Sequence, residues 1–471
     1  MSFASDFYKH CRESRLAGAQ VSVFSGADYQ LDLAYGMASL EDGKSVTLST
    51  IFRIASISKI VVAVAVLQLV EKRLVSLDDD IGDILGFKIR NPRYPDDKIT
   101  IKMLMTQTSS IADGPDEGRA GYNNVNGTSL PVTLRELLAP NPGEYYTEVT
   151  WSPNRPGEKF IYSNFGCGIL ACVVEKATGE YFTDYVKRNV LDPLGVDASF
   201  RADEIINKEA IADLYYADNA GRLRRSRSGA SFVESVYPRF PLGENYRGPA
   251  GGLFISMRDL ARFARILIDD GAYFGRRILN KETVDLMLQI HWHGADKSYQ
   301  AKGLQLKFIN QFGPTFKGHT GSAYGAISYL FVNREEKLGI CFITNGGLYR
   351  RGKKMYDVQE NIFRSFLRAY WPRRPREHVF SADLRKPYGT LNDRAIFFSA
   401  PPRIAGDDVF LPVANIADIF DIAPETADAG TILRFRNRRV IATEPRLSLR
   451  KVCAAFKARY RRRGDEIEVY Y

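Results

Sequence analysis

Cysteine is sparse in this chain of 471 residues. The five, Cys11, Cys167, Cys172, Cys341 and Cys453, are odd in number and scattered, with no metal-ligand pairing. That pattern excludes a disulfide framework, and free thiols in a reducing cytoplasm are the simplest expectation. Long hydrophobic runs are also missing. The run from Ile57 to Val70 is too short to span a bilayer and carries Lys59 and Gln68, so no membrane span is expected. The first residues lack the basic-then-apolar pattern of a secretory leader, which again points to the cytoplasm; secretion is the alternative had a leader been removed. No nucleic-acid motif accompanies the net charge of +10, and its densest run, 459–463, leads straight into Gly464, Asp465 and Glu466. It reads as a solvated face, and no nucleic-acid partner is expected. The glycines of 248–252 lack the lysine and spacing of a phosphate loop. His291 and His293 can share one side of a strand, but no carboxylate or cysteine cluster stands near them in sequence, so we expect neither metal nor cofactor.

A hydrophobic content of 45% and an aromatic content of 12% fit a globular chain with a large core, and the length allows one large domain and a smaller one. Alternating strands near 19–25 and 29–36 follow an N-terminal helix. Two strands, 326–333 and 338–344, read as an antiparallel hairpin, followed by a helix at 354–371 with Met355, Val358, Ile362, Phe366 and Tyr370 on one face. The long region from 86 to 160 predicts short helices beginning near Thr100 and Thr133. Gly179 stops a buried helix that starts near Phe165, and Ser256 caps another. Strands at both ends of the chain with helices between them predict an α+β (mixed) fold. Domain boundaries are expected at 1–371, with a linker over 372–395 and a small accessory domain at 396–471. In that last part Leu411, Val413, Ile416, Ala417 and Phe420 recur at one fixed offset as Leu447, Leu449, Val452, Cys453 and Phe456. Each unit is an extended segment, a short helix and a strand.

The stretch that organises the rest is Phe52-Arg53-Ile54-Ala55-Ser56-Ile57-Ser58-Lys59, which leads into a helix apolar on every side and therefore buried. Ser56 and Lys59 share one face of that helix start, one turn apart. A serine hydroxyl needs a base to become a nucleophile, and a desolvated lysine can serve. Three further pieces complete a constellation for acyl transfer: Tyr162-Ser163-Asn164 in a turn before the second buried helix, His319-Thr320-Gly321 ending a strand-like segment before Ser322, and the glycine turn 248–252. Ser56 is the nucleophile, and Lys59 and Tyr162 share the proton relay. Backbone N–H groups of Ser56 and Ser322 form the oxyanion hole. Asn164 orients substrate and Lys59, and His319 donates to substrate or tunes Tyr162. Each piece has a plainer alternative: Ser56 capping a helix, Tyr162 a packed aromatic, Asn164 an N-cap, His319 a structural turn residue. Tyr122-Asn123-Asn124 repeats the Tyr162 spacing and is set aside because it lies in a polar stretch with no helix after it.

Together these phrases resemble the serine β-lactamase and penicillin-binding-protein superfamily, in its class C-like branch of β-lactamases, D,D-carboxypeptidases, D-aminopeptidases and esterases. The resemblance covers about residues 5–370 and includes 52–59, Leu67-Gln68-Leu69-Val70-Glu71, Leu77-Asp78-Asp79, 156–164, 249–253 and 319–321, in that branch's order. It implies a mainly antiparallel sheet flanked by helices, with a helical region inserted after the serine helix. It also implies acylation of Ser56, proton handling by Lys59 and Tyr162, and a sheet side of the cleft lined by His319, Thr320, Gly321 and Ser322. Two departures stand out. His319 takes the place of a lysine usual in class C β-lactamases, and an imidazole, largely uncharged at neutral pH, offers a weaker fixed charge to a β-lactam carboxylate. The stretch 106–110 reads Thr-Gln-Thr-Ser-Ser where the branch commonly has Thr-His-Thr-Ser-Gly. The tail loosely resembles the stalk-type domain named after the N-terminal domain of copper amine oxidases, without its copper ligands.

The resulting expectation is a serine hydrolase acting through an acyl-enzyme on Ser56, with peptides or amides containing D-amino acids as leading substrates. A carboxylesterase or weak β-lactamase is the alternative within enzymes. A penicillin- or peptide-binding sensor with little turnover is the alternative from another class. The expected partners are a small peptide, amide or ester substrate.

Overall fold

The computed structural model describes residues 2–26, 29–140, 143–292, 303–309, 312, 315–352, 355–371, 379–386, 388–391, 394–428 and 430–471. Its contacts divide the chain into two compact units: Met1–Gly294 with Lys302–Lys307 and Phe316–Trp371, and a second with its body in Pro372–Tyr471.

The first unit is built on a seven-stranded sheet. Its strands are β1 (Gly18–Ser25), β2 (Tyr29–Ser39), β3 (Lys44–Ser45), β6 (Lys307–Ile309), β7 (Phe316–Ala323), β8 (Ala326–Asn333) and β9 (Leu338–Thr344), in the order β6-β7-β8-β9-β1-β2-β3. The strands at the two ends of the chain meet at the centre: β1 pairs antiparallel with β9, Val21 opposite Phe342. β8 and β9 form the expected hairpin, with Ile327 opposite Thr344 and Lys337 in the left-handed region at its turn. Alternation along β8 divides the sheet's two faces. Tyr329 and Phe331 contact Phe363 of the C-terminal helix α5 (Asp357–Tyr370), while Leu330 and Val332 join the main core. Helix α1 (Phe3–Glu13) packs against α5. The mixed α+β fold with its largely antiparallel sheet is therefore as the sequence pattern predicts.

In the main core lie α2 (Ser58–Glu71) and α3 (Asn164–Thr178), packed on each other. Every residue of α2 from Ser58 to Leu69 is buried, which explains a sequence apolar on all sides. Gly179 closes α3 in the left-handed conformation. Helix α4 (Met257–Arg265) is capped by Ser256, whose Oγ accepts the Asp259 N–H at 3.1 Å. The inserted region holds short helices at Ile101–Thr106 and Leu134–Leu138, capped by Thr100 and Thr133. No helix among the described residues is long and apolar enough to cross a membrane.

The second unit has its own core. In it Leu411 stands directly opposite Leu447 in an antiparallel pair. Helices α6 (Val413–Phe420) and α7 (Leu449–Phe456) follow those strands, and the Phe420 and Phe456 rings meet at 5.0 Å. Strands Val379–Asp383 and Tyr388–Leu391 lie inside the stretch expected as linker, and the first pairs with Glu466–Tyr470. Their buried apolar residues, Phe380, Ala382 and Leu391, are few, so the alternation is hard to see in sequence. Residues 372–378 lie outside the described residues.

Candidate active site

Ser56 occupies a single 3-10 turn, Ala55–Ile57, that feeds into α2. Ala55 holds φ at +53°, a conformation an L-residue with a Cβ rarely adopts. The neighbouring chain holds this turn in place. Ile54 donates its N–H to Leu253 O at 3.0 Å, Ser328 Oγ donates to Ile54 O at 2.9 Å, and Ser58 Oγ donates to Ala55 O at 2.7 Å. A short strand pair supports it from below, β4 (Phe52–Arg53) with β5 (Phe254–Ile255).

Two side chains reach the Ser56 hydroxyl. Lys59 Nζ, fully buried, donates to Ser56 Oγ at 3.2 Å, and Tyr162 Oη donates to it at 2.7 Å. Lys59 also donates to Asn164 Oδ1 and to Ala250 O, each at 2.8 Å, so each of the three N–H bonds of an ammonium there has an acceptor. The ammonium sits 4.9 Å from the Tyr162 ring centre. Sequence residues more than a hundred positions apart thus meet at one oxygen.

Asn164 is the first residue of α3, not its cap. The cap is Ser163, whose Oγ accepts the Gly166 N–H at 2.9 Å. Asn164 spends its side chain otherwise: Oδ1 faces Lys59, and Nδ2 donates to Asp113 Oδ2 at 2.7 Å. Asp113 was not among the residues singled out from the sequence. It also accepts from Ser163 Oγ at 3.0 Å and from Phe165 N–H at 2.9 Å. A lone aspartate in a loop carries no motif, so no sequence signal marks it.

Strand β7 packs against the serine turn and brings Gly321 and Ser322 alongside it. A Cβ on Gly321 would stand 2.6 Å from Ile54 O, so only glycine permits that approach. His319 is buried, its Nδ1 is 2.6 Å from Thr320 O, and its ring lies 6.2 Å from that of Tyr162. Lys307, a second residue the sequence did not flag, donates to Thr320 Oγ1 at 3.4 Å and lies 5.6 Å from the Tyr162 ring centre. It puts an ammonium beside the motif that carries histidine in place of lysine.

Gln107 explains the other departure. In the left-handed region at φ +63°, it accepts the Ser163 N–H on Oε1 at 2.7 Å and donates from Nε2 to Gln305 Oε1 at 3.0 Å. It thereby braces the turn that carries Tyr162. Contrary to the expectation of no helix there, Tyr122 starts a short helix, Tyr122–Asn126; its ring is buried and stacks on Phe165 at 5.0 Å, away from the Ser56 hydroxyl that Tyr162 reaches. His291 Nε2 lies 2.6 Å from Leu286 O, burial holds its imidazole below the ordinary range, and His293 lies outside the described residues. No group of three or more His, Cys, Asp or Glu among the described residues is placed to hold a metal.

Residues 4–360 match the Beta-lactamase family. The chain is 28% identical over 341 residues to penicillin-binding protein 4 of Amycolatopsis lactamdurans, covering 71% of this chain and 82% of that protein. It is 32% identical over 202 residues to esterase EstB of Burkholderia gladioli, covering 42% of this chain and 50% of the esterase. Among solved structures, the octameric penicillin-binding protein homologue from Pyrococcus abyssi superposes with a TM-score of 0.59 at 18% identity, covering 100% of this chain and 99% of that one. The D-amino acid amidase from Ochrobactrum anthropi SV3 superposes with a TM-score of 0.58 at 18% identity, covering 78% of this chain and 97% of the amidase.

Proposed function

We propose, from the premise that this chain belongs to the beta-lactamase family and is a serine hydrolase of that type, that it cleaves peptides or amides containing D-amino acids through an acyl-enzyme on Ser56. The observation that carries this reading is the meeting of Tyr162 Oη and Lys59 Nζ at the Ser56 oxygen, at 2.7 and 3.2 Å. With all three of its N–H bonds accepted, Lys59 acts as a fixed positive charge, and proton transfer falls to Tyr162. Attack requires the form in which Tyr162 has lost its proton, so that the 2.7 Å bond runs from Ser56 Oγ to Tyr162 Oη. Ser56 Oγ adds to the substrate carbonyl carbon while its proton passes to Tyr162 Oη. The backbone N–H groups of Ser56 and Ser322 receive the oxyanion. Tyr162 returns the proton to the departing nitrogen as the C–N bond breaks, leaving an ester on Ser56. Water then adds to that ester and gives its proton to Tyr162, which passes it to Ser56 Oγ as the C–O bond breaks and the acid leaves.

Asp113 and Asn164 act as positioning residues for Lys59, and Thr320 and Gly321 border the substrate. The imidazole at 319 favours peptidase or amidase chemistry over a β-lactamase. A second reading, carboxylesterase, draws on the 32% identity to esterase EstB. Fluorescent penicillin labelling followed by mass spectrometry, with a panel of D- and L-aminoacyl amides, D-Ala-D-Ala peptides and short esters, separates them. Turnover of D-configured amides is expected. A lasting adduct on Ser56 without turnover makes the protein a binder, and turnover of esters alone makes it an esterase. A Ser56→Ala protein as active as the parent overturns the assignment.

A further inference from the structure

Beside the serine turn lies a cavity of about 510 Å³ with five arginines in its lining: Arg53, Arg201, Arg227, Arg239 and Arg247. Two have carboxylate partners. Arg201 pairs with Asp203 and Glu204, and Arg239 with Asp184 and Glu204. The other three pair with no carboxylate among the described residues; what they touch is aromatic or backbone. Arg53 is held between two rings, its guanidinium carbon 6.0 Å from the centre of Phe232 and 5.0 Å from that of Tyr324. Tyr324 sits at φ +54°, a left-handed backbone that aims its ring there. Arg227 lies 5.4 Å from the same Phe232 ring. Arg247 is 5% exposed; Nε and Nη2 donate to Val125 O and Leu130 O, and Nη1 has no hydrogen-bond partner.

Two acids also line the space. Glu234 is exposed, and buried Glu175 is occupied by three donors, Phe182 N–H, Gly243 N–H and Asn245 Nδ2. Three guanidinium groups with no ion-pair partner therefore face two glutamates, one of them already committed. A guanidinium stacked between rings keeps its edge N–H bonds for a planar anion. A concave wall of net positive charge also concentrates anions from solution.

The position matters as much as the charge. Gly248, Pro249 and Gly252 line the cavity, and the residues between them touch the catalytic turn: Ala250 O accepts from Lys59, and a Cβ on Gly251 would stand 3.5 Å from the carbonyl carbon of Ala55. We propose that this cavity is an anion subsite, taking a carboxylate or phosphate carried by one arm of the substrate that acylates Ser56, so that the preferred substrates are acidic. The inference rests on the reading of Ser56 as nucleophile.

Binding and turnover test it separately. Calorimetric titration of the Ser56→Ala protein with glutarate and with phenyl phosphate should give salt-sensitive binding, and the tighter of the two assigns the anion. Arg53→Gln combined with Arg227→Gln should weaken it by about tenfold or more; Arg53→Lys, which keeps the charge but loses the fork, should fall between. In the parent enzyme, kcat/KM is compared for 4-nitrophenyl hemiglutarate against its neutral glutaramate, and for 4-carboxyphenyl acetate against 4-carbamoylphenyl acetate. The anionic member of at least one pair should lead by about tenfold, and the double arginine variant should bring that ratio toward one. Turnover of all four esters without preference, or no binding of either anion, overturns the subsite and leaves the hydrolase reading intact. Binding of glutarate with no turnover of any ester or of any amide or peptide in the panel overturns the hydrolase reading and, with it, the role of the cavity as a substrate subsite.

Discussion

Asp113 accepts the Nδ2–H of Asn164 at 2.7 Å, and this bond decides which way the amide faces. With Nδ2 committed to the carboxylate, Oδ1 is left to accept from Lys59 at 2.8 Å. A loop carboxylate thereby sets the place of a buried ammonium it never touches, and through it the groups around Ser56.

Asp113→Asn should lower kcat by about 10- to 100-fold while KM changes by only a few-fold, because the lysine and tyrosine lose their alignment but the substrate surface remains. The same change removes charge-assisted bonds to the start of α3, costing about 1–3 kcal/mol in a denaturant titration. An unchanged kcat would remove Asp113 from the positioning chain.

Tyr162→Phe should slow acylation by roughly 10²- to 10⁴-fold, the range of a lost general acid–base group. Pre-steady-state burst measurements with an activated ester report acylation directly. Because Tyr162 is 36% exposed and packs at the rim, the fold should survive, as circular dichroism would show.

Gln107→His should retain most activity and Gln107→Leu should not. A neutral imidazole has one acceptor nitrogen and one N–H, which matches the Ser163 N–H and Gln305 Oε1 that Gln107 serves at 2.7 and 3.0 Å. Leucine leaves both buried groups unpaired, at about 1–3 kcal/mol each. Melting temperature and kcat for the two variants separate these outcomes.

Gly321→Ala should destabilise the protein by about 1–3 kcal/mol, since its methyl would stand 2.3 Å from Ser328 Oγ and 2.6 Å from Ile54 O. The neighbours it strikes form the bond that fixes the serine turn, so kcat should fall with stability. Denaturant midpoints and kcat measured on one preparation check both.

Stability should fall as the pH drops below the ordinary imidazole value of 6.5, in part through His291. Burial depresses its folded pKa, so the unfolded chain takes up the proton first. The contribution is whole above 6.5, declines as pH falls toward the folded pKa, and levels off below it. His291→Gln, which keeps an N–H for Leu286 O, should flatten that part of the stability profile. An identical slope in both proteins would rule out His291 as the titrating group.

What the sequence determined by itself was local or periodic. Ser56 and Lys59 share a face because a helix turns once in about 3.6 residues. The all-apolar run of α2 could only be buried, and the caps at Thr100, Thr133 and Ser256 were readable because a cap needs only its own next few residues. The hairpin of β8 and β9 was legible for the same reason. Only the tertiary structure decided the rest. Asp113, Lys307 and, apart from Arg53, the arginines of the cavity belong to no motif, and they come together because β1 must bury its edge against β9 and β7 must close on the serine turn. Such neighbours are chosen by the packing of whole faces, which no short window of residues records.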